Sequence, residues 1–445
     1  MSATAKTVSG LVMALGLVWP TFSADGQVLD ALVRREVVDS IAAQVERVYV
    51  DADTARMIAA RLRGQLRAGA YDTVVEPARF AQLLTADLRS VNHDLHLSEQ
   101  YAPPGGAGGT RAPVAFADRS QHYALGRIDV LPGNVGYMEI NGFSSDPAAR
   151  DVIVSALRYL ESTDAIILDL RRNRGGDASL VNLLVSHFTG PDTIASLSVK
   201  LRAEGRSFTR YTLASVPGPR RPDVPLYVLT SRSTGSAGED FAFVLQNMKR
   251  ATLIGDRTAG AGHNVTFVQS GHGMRTGISF SRVSDPRTGK EWEQVGVQPD
   301  IRADAATAVD VAHSLALQTI ASRSTDPQRA QLGLIRETVE ARLRPHEVPA
   351  AILAAYAGDY EGNRHVTVEG SRLLYQFQPG VPPEAAVALS DSVFALASQV
   401  RLVFELDERG NVRLRGVGPD GSALTFARVG ATQPGVRPQH DTHPS

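Results

Sequence analysis

Pro225-Leu226-Tyr227-Val228-Leu229-Thr230, followed by Ser231-Arg232-Ser233-Thr234-Gly235-Ser236-Ala237-Gly238-Glu239-Asp240, is the stretch on which the fold turns. The first six residues form a short, near-continuous apolar run, as expected of a strand covered on both faces. A turn of small residues follows, and Ala237 to Met248 reads as a helix. The same grammar recurs upstream. Ala165-Ile166-Ile167-Leu168-Asp169-Leu170 is a second buried-type strand, Arg171 to Asp177 a glycine-containing turn, and Leu180 to Phe188 a helix. Gly136 to Ile140 and Ala251 to Gly255 add strands, and Asp146-Pro147 opens a helix that runs to Leu160. Alternation of strands and helices predicts an α/β domain with a largely parallel sheet.

Outside this block the pattern changes. Leu29, Leu32, Val33, Val37, Ile41, Val45 and Val48 recur every three or four residues, the spacing of one helix face. Met57 to Leu66 and Phe80 to Leu88 repeat it, so residues 24–112 are expected to form a helical N-terminal domain ending in the loop Pro103 to Gly109. The catalytic candidate then spans 113–325, with a helical connector at 326–350. Residues 351–430 read as a small all-β domain. His365 to Val368 and Arg372 to Phe377 make one hairpin, and Arg401 to Leu406 and Asn411 to Leu414 flank another turn. The Pro-, Gln- and His-containing tail 431–445 is expected to be disordered. Lys6, the apolar run Val8 to Trp19 and the small residues Thr21, Ser23 and Ala24 have the layout of a signal peptide, residues 1–23. That points to a periplasmic or secreted protein with no stable membrane span after cleavage.

Composition narrows the function. A net charge of −1 across 445 residues argues against nucleic acid as a partner. There is no cysteine, which removes disulfides, zinc–thiolate sites and a Cys nucleophile. The 11 histidines include no HExxH or other tight ligand cluster, so neither a metal nor another cofactor is expected. Oligomeric state has no signature.

Chemistry is best placed at the carboxyl ends of the parallel strands, where ligands bind in open α/β sheets. Ser236, in the first turn of a helix, has free backbone N–H groups beside it that can stabilise an oxyanion. Read locally, Ser236 and Glu239 are also a capping box, and Gly175-Gly176 is also an ordinary strand–helix turn.

Five ordered blocks decide between these readings. They are Gly136-Tyr137-Met138-Glu139-Ile140, Asp169 to Gly176, Ser236-Ala237-Gly238-Glu239, Ala251 to Thr258, and Gly296-Val297-Gln298-Pro299-Asp300. Together they resemble the catalytic domain of the tail-specific (C-terminal processing) serine proteases, whose fold is ClpP/crotonase-like. The resemblance implies Ser236 as nucleophile and oxyanion donors from Ala237 and the Gly175-Gly176 loop. The commonest branch of that family places a Lys where this chain has Ala261, which argues against a Ser/Lys dyad. Asn92-His93-Asp94-Leu95-His96-Leu97 resembles instead the Asp-x-His-Leu segment of the branch that includes the tricorn core protease and the interphotoreceptor retinoid-binding protein. That resemblance implies His96 as base and Glu293 as its orienting acid. An imidazole near pKa 6.5 suits the task at neutral pH. His263, on the glycine-rich loop after Thr258, is the alternative base or a substrate contact. No insertion long enough for a PDZ domain lies between His96 and Gly136. The expected function is a serine-type peptidase acting on a peptide or protein through an acyl-enzyme. The alternatives are an apolar-ligand (retinoid- or lipid-like) binding protein on the same scaffold and a non-peptidase serine hydrolase.

Overall fold

The computed structural model describes residues 29–102, 118–408 and 410–430. The leader-like segment and the C-terminal tail lie outside them. Three helices come first: α1 (Ala31–Val48), α2 (Ala52–Arg67) and α3 (Pro77–Arg89). Asp30 and Asp51 cap the first two, each accepting from the backbone N–H three residues on. Strand β1 (Ser98–Tyr101) follows, then β2 (Leu125–Leu131), β3 (Val135–Ile140), α4 (Ala148–Tyr159), β4 (Ala165–Asp169) and α5 (Ala178–His187). Next come β5 (Ala195–Leu201), β6 (Arg206–Tyr211), β7 (Leu226–Thr230), α6 (Ala237–Asn247), β8 (Thr252–Gly255), β9 (Asn264–Gly271), β10 (Met274–Ser284) and β11 (Ile301–Arg302). Helices α7 (Ala308–Ser322), α8 (Asp326–Leu343) and α9 (Ala350–Tyr356) lead into the C-terminal strands.

The predicted α/β core is present. Its sheet runs β11-β8-β7-β4-β3-β2, parallel except for the antiparallel β2–β3 pair. The strands are apolar throughout because both faces are covered. Ile166, Leu168, Leu226 and Val228 meet α4, α5 and α6, and Ala165, Ile167, Tyr227 and Leu229 meet α7 and α8. The period-2 geometry of a strand sends alternate residues to the two cores. Glu139 pairs with Asp169 and Asp169 with Leu229, so β3, β4 and β7 end level and their loops emerge side by side.

A second sheet joins the N-terminal segment to this core. Its order is β1-β10-β5-β6, with β9 also on β10. The helices α1 to α3 bury Ile41, Ile58 and Leu84 against Met274 and Ile278 of β10. Two further ties cross here. Val50 N–H donates to Ser279 O at 2.9 Å, and Arg202 reaches the last carbonyls of α1. A cation at a helix C-terminus complements both its free carbonyls and its dipole. Helix α8 likewise sends Leu332, Ile335 and Val339 into the core shared with α7. Both expected C-terminal hairpins form, pairing Arg364–Glu369 with Arg372–Gln376 and Arg401–Leu406 with Val412–Val417.

Candidate active site

The loops after β4 and β7 are stitched together by backbone and buried polar groups. Asn173 is fully buried. Its Oδ1 accepts from Gly175 N–H at 2.9 Å, its Nδ2 donates to Ile140 O, and its carbonyl accepts from Gly235 N–H at 2.9 Å. Thr234 Oγ1 donates to Leu170 O and Ser231 Oγ to Arg171 O. This packing requires glycine at two places. A Cβ on Gly176 would lie 1.9 Å from Phe143 O, and one on Gly175 2.8 Å from the Ser236 Cβ.

Ser236 is where the chain departs most clearly from an ordinary cap. Its φ is +51° and ψ −118°, whereas N-cap residues sit in the extended region. A non-glycine residue held in such a conformation is strained, and such strain clusters at active sites. Glu239 holds it there. This carboxylate is fully buried and accepts from Ser236 N–H at 2.8 Å, Gly260 N–H at 2.6 Å, Ala261 N–H at 2.8 Å and the Thr258 hydroxyl. Burial pushes its pKa up against the pull of those donors. Glu239 therefore does more than start a helix: it clamps the 258–261 loop against Ser236.

Two backbone N–H groups beside Ser236, those of Gly176 and Ala237, meet no acceptor among the described residues. The N–H of Gly175 is different, being spent on Asn173. Gly175 supplies room for Ser236, and the expectation that it donates to an oxyanion is corrected accordingly.

The opposing wall comes from the N-terminal segment. His96 and Ser236 line the same cleft, of about 920 Å3, together with Gly176 and Ala261. Ala261 presents only a methyl group to this cleft. A smaller cavity, about 350 Å3, also touches Ser236 and Gly176 and is lined by Ala237, His263 and Trp292.

Behind His96 lies a buried polar cluster. Asp94 is fully buried. It accepts from His96 N–H at 2.9 Å, from Tyr49 OH at 3.0 Å, and faces His263 Nδ1 at 3.0 Å. Burial alone raises the Asp94 pKa, but hydrogen bonds from His263, His96 and Ser279 together outweigh it and hold the carboxyl well below the usual range. For His263 burial pulls the imidazole down, while the Asp94 hydrogen bond and the charge of Glu293 raise it above its ordinary value. Glu293 Oε2 accepts from Gly262 N–H at 2.6 Å and His263 N–H at 3.0 Å, and lies 3.7 Å from His263 Nδ1. Burial raises its pKa, with His263 opposing.

The structure thus brings Ser236, Gly176, Ala237, His96 and His263 around two adjoining cavities, with Glu293 behind the 260–263 loop. No hydrogen bond joins Glu293 to His96. The His96 Nδ1 is 3.7 Å from Asp94 Oδ1, and both His96 Nδ1 and Glu293 Oε1 are buried without a hydrogen-bond partner among the described residues. Asp94, His263 and Glu293 offer ligand atoms within 4.8 Å of one another and are the group that could hold a metal ion. Asp94 Oδ2 and His263 Nδ1 are committed to each other and Glu293 Oε2 to two backbone N–H groups, while Glu293 Oε1 and His263 Nε2 have no hydrogen-bond partner among the described residues. The residues that sequence reasoning missed are Asp94 and Asn173. Asp94 stands two positions before His96, a visible signal. Asn173 has none, since two of these three bonds, to Ile140 and Gly235, join segments distant in the chain.

Residues 134–303 match the model of peptidase family S41. The chain is 30% identical over 200 residues to a carboxyl-terminal-processing protease of Synechocystis sp., covering 43% of this chain and 44% of the relative. It is 29% identical over 168 residues to the corresponding protease of Picosynechococcus sp., covering 37% and 38%. The solved photosystem II D1 C-terminal processing protease aligns at a TM-score of 0.40 and 17% identity, over 61% of this chain and 93% of that one. Residues 134–303 thus resemble a peptidase family S41 domain, the rest of the chain lying outside that match. The chain spans less than half the length of these two curated relatives. Among the described residues no helix is long and apolar enough to cross a membrane.

Proposed function

We propose that this chain is an exported serine peptidase that cleaves peptide or protein substrates through an acyl-enzyme on Ser236. One observation carries the reading: a serine in a strained backbone conformation at a helix N-terminus, flanked by two unspent N–H groups, in a cleft faced by an imidazole. Ser236 Oγ attacks the scissile carbonyl carbon and its proton passes to His96. The oxyanion is held by Gly176 and Ala237 N–H. His96 then protonates the leaving amine as the C–N bond breaks. Water, deprotonated by the same imidazole, releases the acid product. Glu293, aided by Asp94, orients His96 and stabilises its imidazolium. Their unsatisfied atoms, His96 Nδ1 and Glu293 Oε1, favour a bond formed on substrate binding, because catalytic hydrogen bonds commonly tighten only in the complex. Export rests on the leader-like residues 1–23.

A second reading of the base has its own support. His263 already has a carboxylate on Nδ1 and an unpartnered Nε2, and it lines the smaller cavity beside Ser236. Against it, the Nδ1 of His263 is tied to Asp94 and its ring lines the smaller cavity, whereas His96 lines the larger cleft with Ser236. The test is labelling of the mature protein with a fluorophosphonate probe, paired with peptide and ester substrate panels. Labelling and peptide hydrolysis that vanish in Ser236→Ala are expected. Hydrolysis unchanged in that variant would overturn the reading.

A further inference from the structure

The buried cluster behind His96 has the make-up of a cation site. Asp94, His263 and Glu293 each offer a ligand atom, and these atoms lie within 4.8 Å of one another. His263 Nδ1 is 3.0 Å from Asp94 Oδ2 and 3.7 Å from Glu293 Oε2. Zinc binds imidazole nitrogen and carboxylate oxygen at about 2.0–2.2 Å, so ligand atoms around a tetrahedral ion stand about 3.3–3.5 Å apart. The two edges bracket that value. Charge points the same way. Two buried carboxylates share one imidazole, and Arg282, whose charge reaches His263, is itself paired with Glu291. Glu293 Oε1 and His263 Nε2 are buried without a hydrogen-bond partner among the described residues. Leaving such groups unsatisfied costs free energy, which a bound cation offsets at the carboxylate. His263, 6% exposed, also lines the cavity of about 350 Å3 beside Ser236. That cavity gives an ion a way in and a water for the fourth position.

We infer that Asp94, His263 and Glu293 form a site for one zinc-like divalent ion, which fastens the N-terminal wall to the catalytic core while arresting hydrolysis. The ion takes the place of the proton between Asp94 Oδ2 and His263 Nδ1. As the metal–nitrogen bond forms, that proton leaves to solvent, and nothing is oxidised or reduced. Fastening follows from position: Asp94 precedes β1, whereas His263 directly precedes β9 and Glu293 follows β10. Arrest follows from charge. His96 Nδ1 lies 3.7 Å from Asp94 Oδ1, and on taking the Ser236 proton His96 becomes a cation. With the ion bound, the carboxylates that would stabilise that cation are ligands of a dication, which opposes it. One imidazole with two carboxylates suits zinc, whereas magnesium demands octahedral oxygen ligands and keeps its water. Asp94 is 169 positions from His263, and Glu293 is 30, so no ligand spacing in the sequence marks the site. The arrest rests on the peptidase reading, and the binding on the cluster alone.

The test uses the untagged mature chain, stripped with a chelator and titrated with zinc or magnesium chloride. Calorimetry counts bound ions, thermal melts read the docking of the wall, and peptide hydrolysis reads the chemistry. One tightly bound zinc per chain is expected. It should raise Tm, because an ion that binds only the folded state stabilises it by mass action, and lower kcat roughly tenfold or more. Chelator should reverse both effects, and magnesium at the same concentration should produce neither. His263→Gln removes the nitrogen ligand and Glu293→Gln removes a charge. Each should weaken zinc binding roughly tenfold or more and lose the rise in Tm. Each variant is compared with itself with and without zinc, so its starting activity does not enter. Glu293→Gln serves if His263→Gln does not fold, since its amide oxygen still accepts from the loop N–H groups. No zinc-dependent rise in Tm, wild-type zinc affinity in both variants, or full hydrolysis with zinc bound would overturn the inference. Zinc binding with the rise in Tm, in a protein that hydrolyses no peptide even when stripped, would support the site and remove the peptidase reading.

Discussion

The two walls of the cleft are built in different ways. The wall carrying Ser236, Gly176 and Ala237 is made by two strand–loop–helix units of one sheet, whose loops emerge together because β4 and β7 end level. The wall carrying His96 comes from a segment some 140 positions earlier, docked through β1 and a buried ionic cluster. The first wall is fixed by backbone: strained φ at Ser236, glycines where a Cβ has no space, and Asn173 joining the loops. The second is fixed by charge, through Asp94, His263 and Glu293. A nucleophile and its oxyanion hole need rigid placement of backbone dipoles, whereas a proton carrier needs a tuned environment, and on the proposed reading the two walls supply these separately.

The comparison is broken most severely by removing the proposed base. His96→Ala should lower kcat for peptide hydrolysis by roughly four to six orders of magnitude, as in a triad whose members act as a unit, while His263→Ala should act mainly through weakened docking of the second wall. Steady-state kinetics on both variants, with thermal melts to separate folding from chemistry, checks this. The reverse ranking would move the base to His263.

Asp94→Asn attacks the charge-built wall directly. Breaking a buried ion pair by removing one partner costs about 3–5 kcal/mol, read as a lower Tm with the sheet core intact. The pH dependence has a definite sign. His263 is raised in the folded state, so its contribution is full below the free imidazole value of about 6.5 and is lost as pH rises through the raised value. Asp94 is depressed, so its contribution is full above about 3.9 and lost as pH falls through its lowered value. Wild-type stability should therefore carry this term fully between about pH 4 and 6.5, and Asp94→Asn should lose that dependence. A mutant with the wild-type pH profile would show that the cluster does not hold the wall.

The smallest effect is expected at Glu239, the point where the first wall relies on a charge. Glu239→Gln keeps the shape but offers one acceptor oxygen in place of two, leaving some of its four donors short. A loss of about 1–3 kcal/mol follows, with a change in kcat larger than that in KM because the position of Ser236 is what shifts. Equal changes in a substrate-independent melt and no change in kcat would place Glu239 in the scaffold alone.

Sequence alone was enough for the first wall. Apolar runs of five or six residues, small-residue turns and helical periodicity are local signals, and each is set by steric and burial rules that act within about ten residues. They located the parallel sheet and the two strand–helix loops that carry Ser236, Ala237 and Gly176, whereas the roles proposed for those residues came from the family resemblance. What local signals could not give is which N–H groups are already spent: Gly175 reads like Gly176, yet its N–H is taken by Asn173, whose side chain also reaches a carbonyl 33 residues away. They also could not give the second wall's wiring. Asp94 and His263 are 169 positions apart, and their 3.0 Å contact arises only because β10 pairs with β1 on one side and β9 on the other. The charge states of that cluster depend on burial and on groups that come together from distant parts of the chain, Asp94, His263, Ser279 and Glu293 among them. Residue types in sequence determined which chemistry this chain could carry. Long-range strand pairing and desolvation, which no local pattern encodes, decided which atoms are free to perform it.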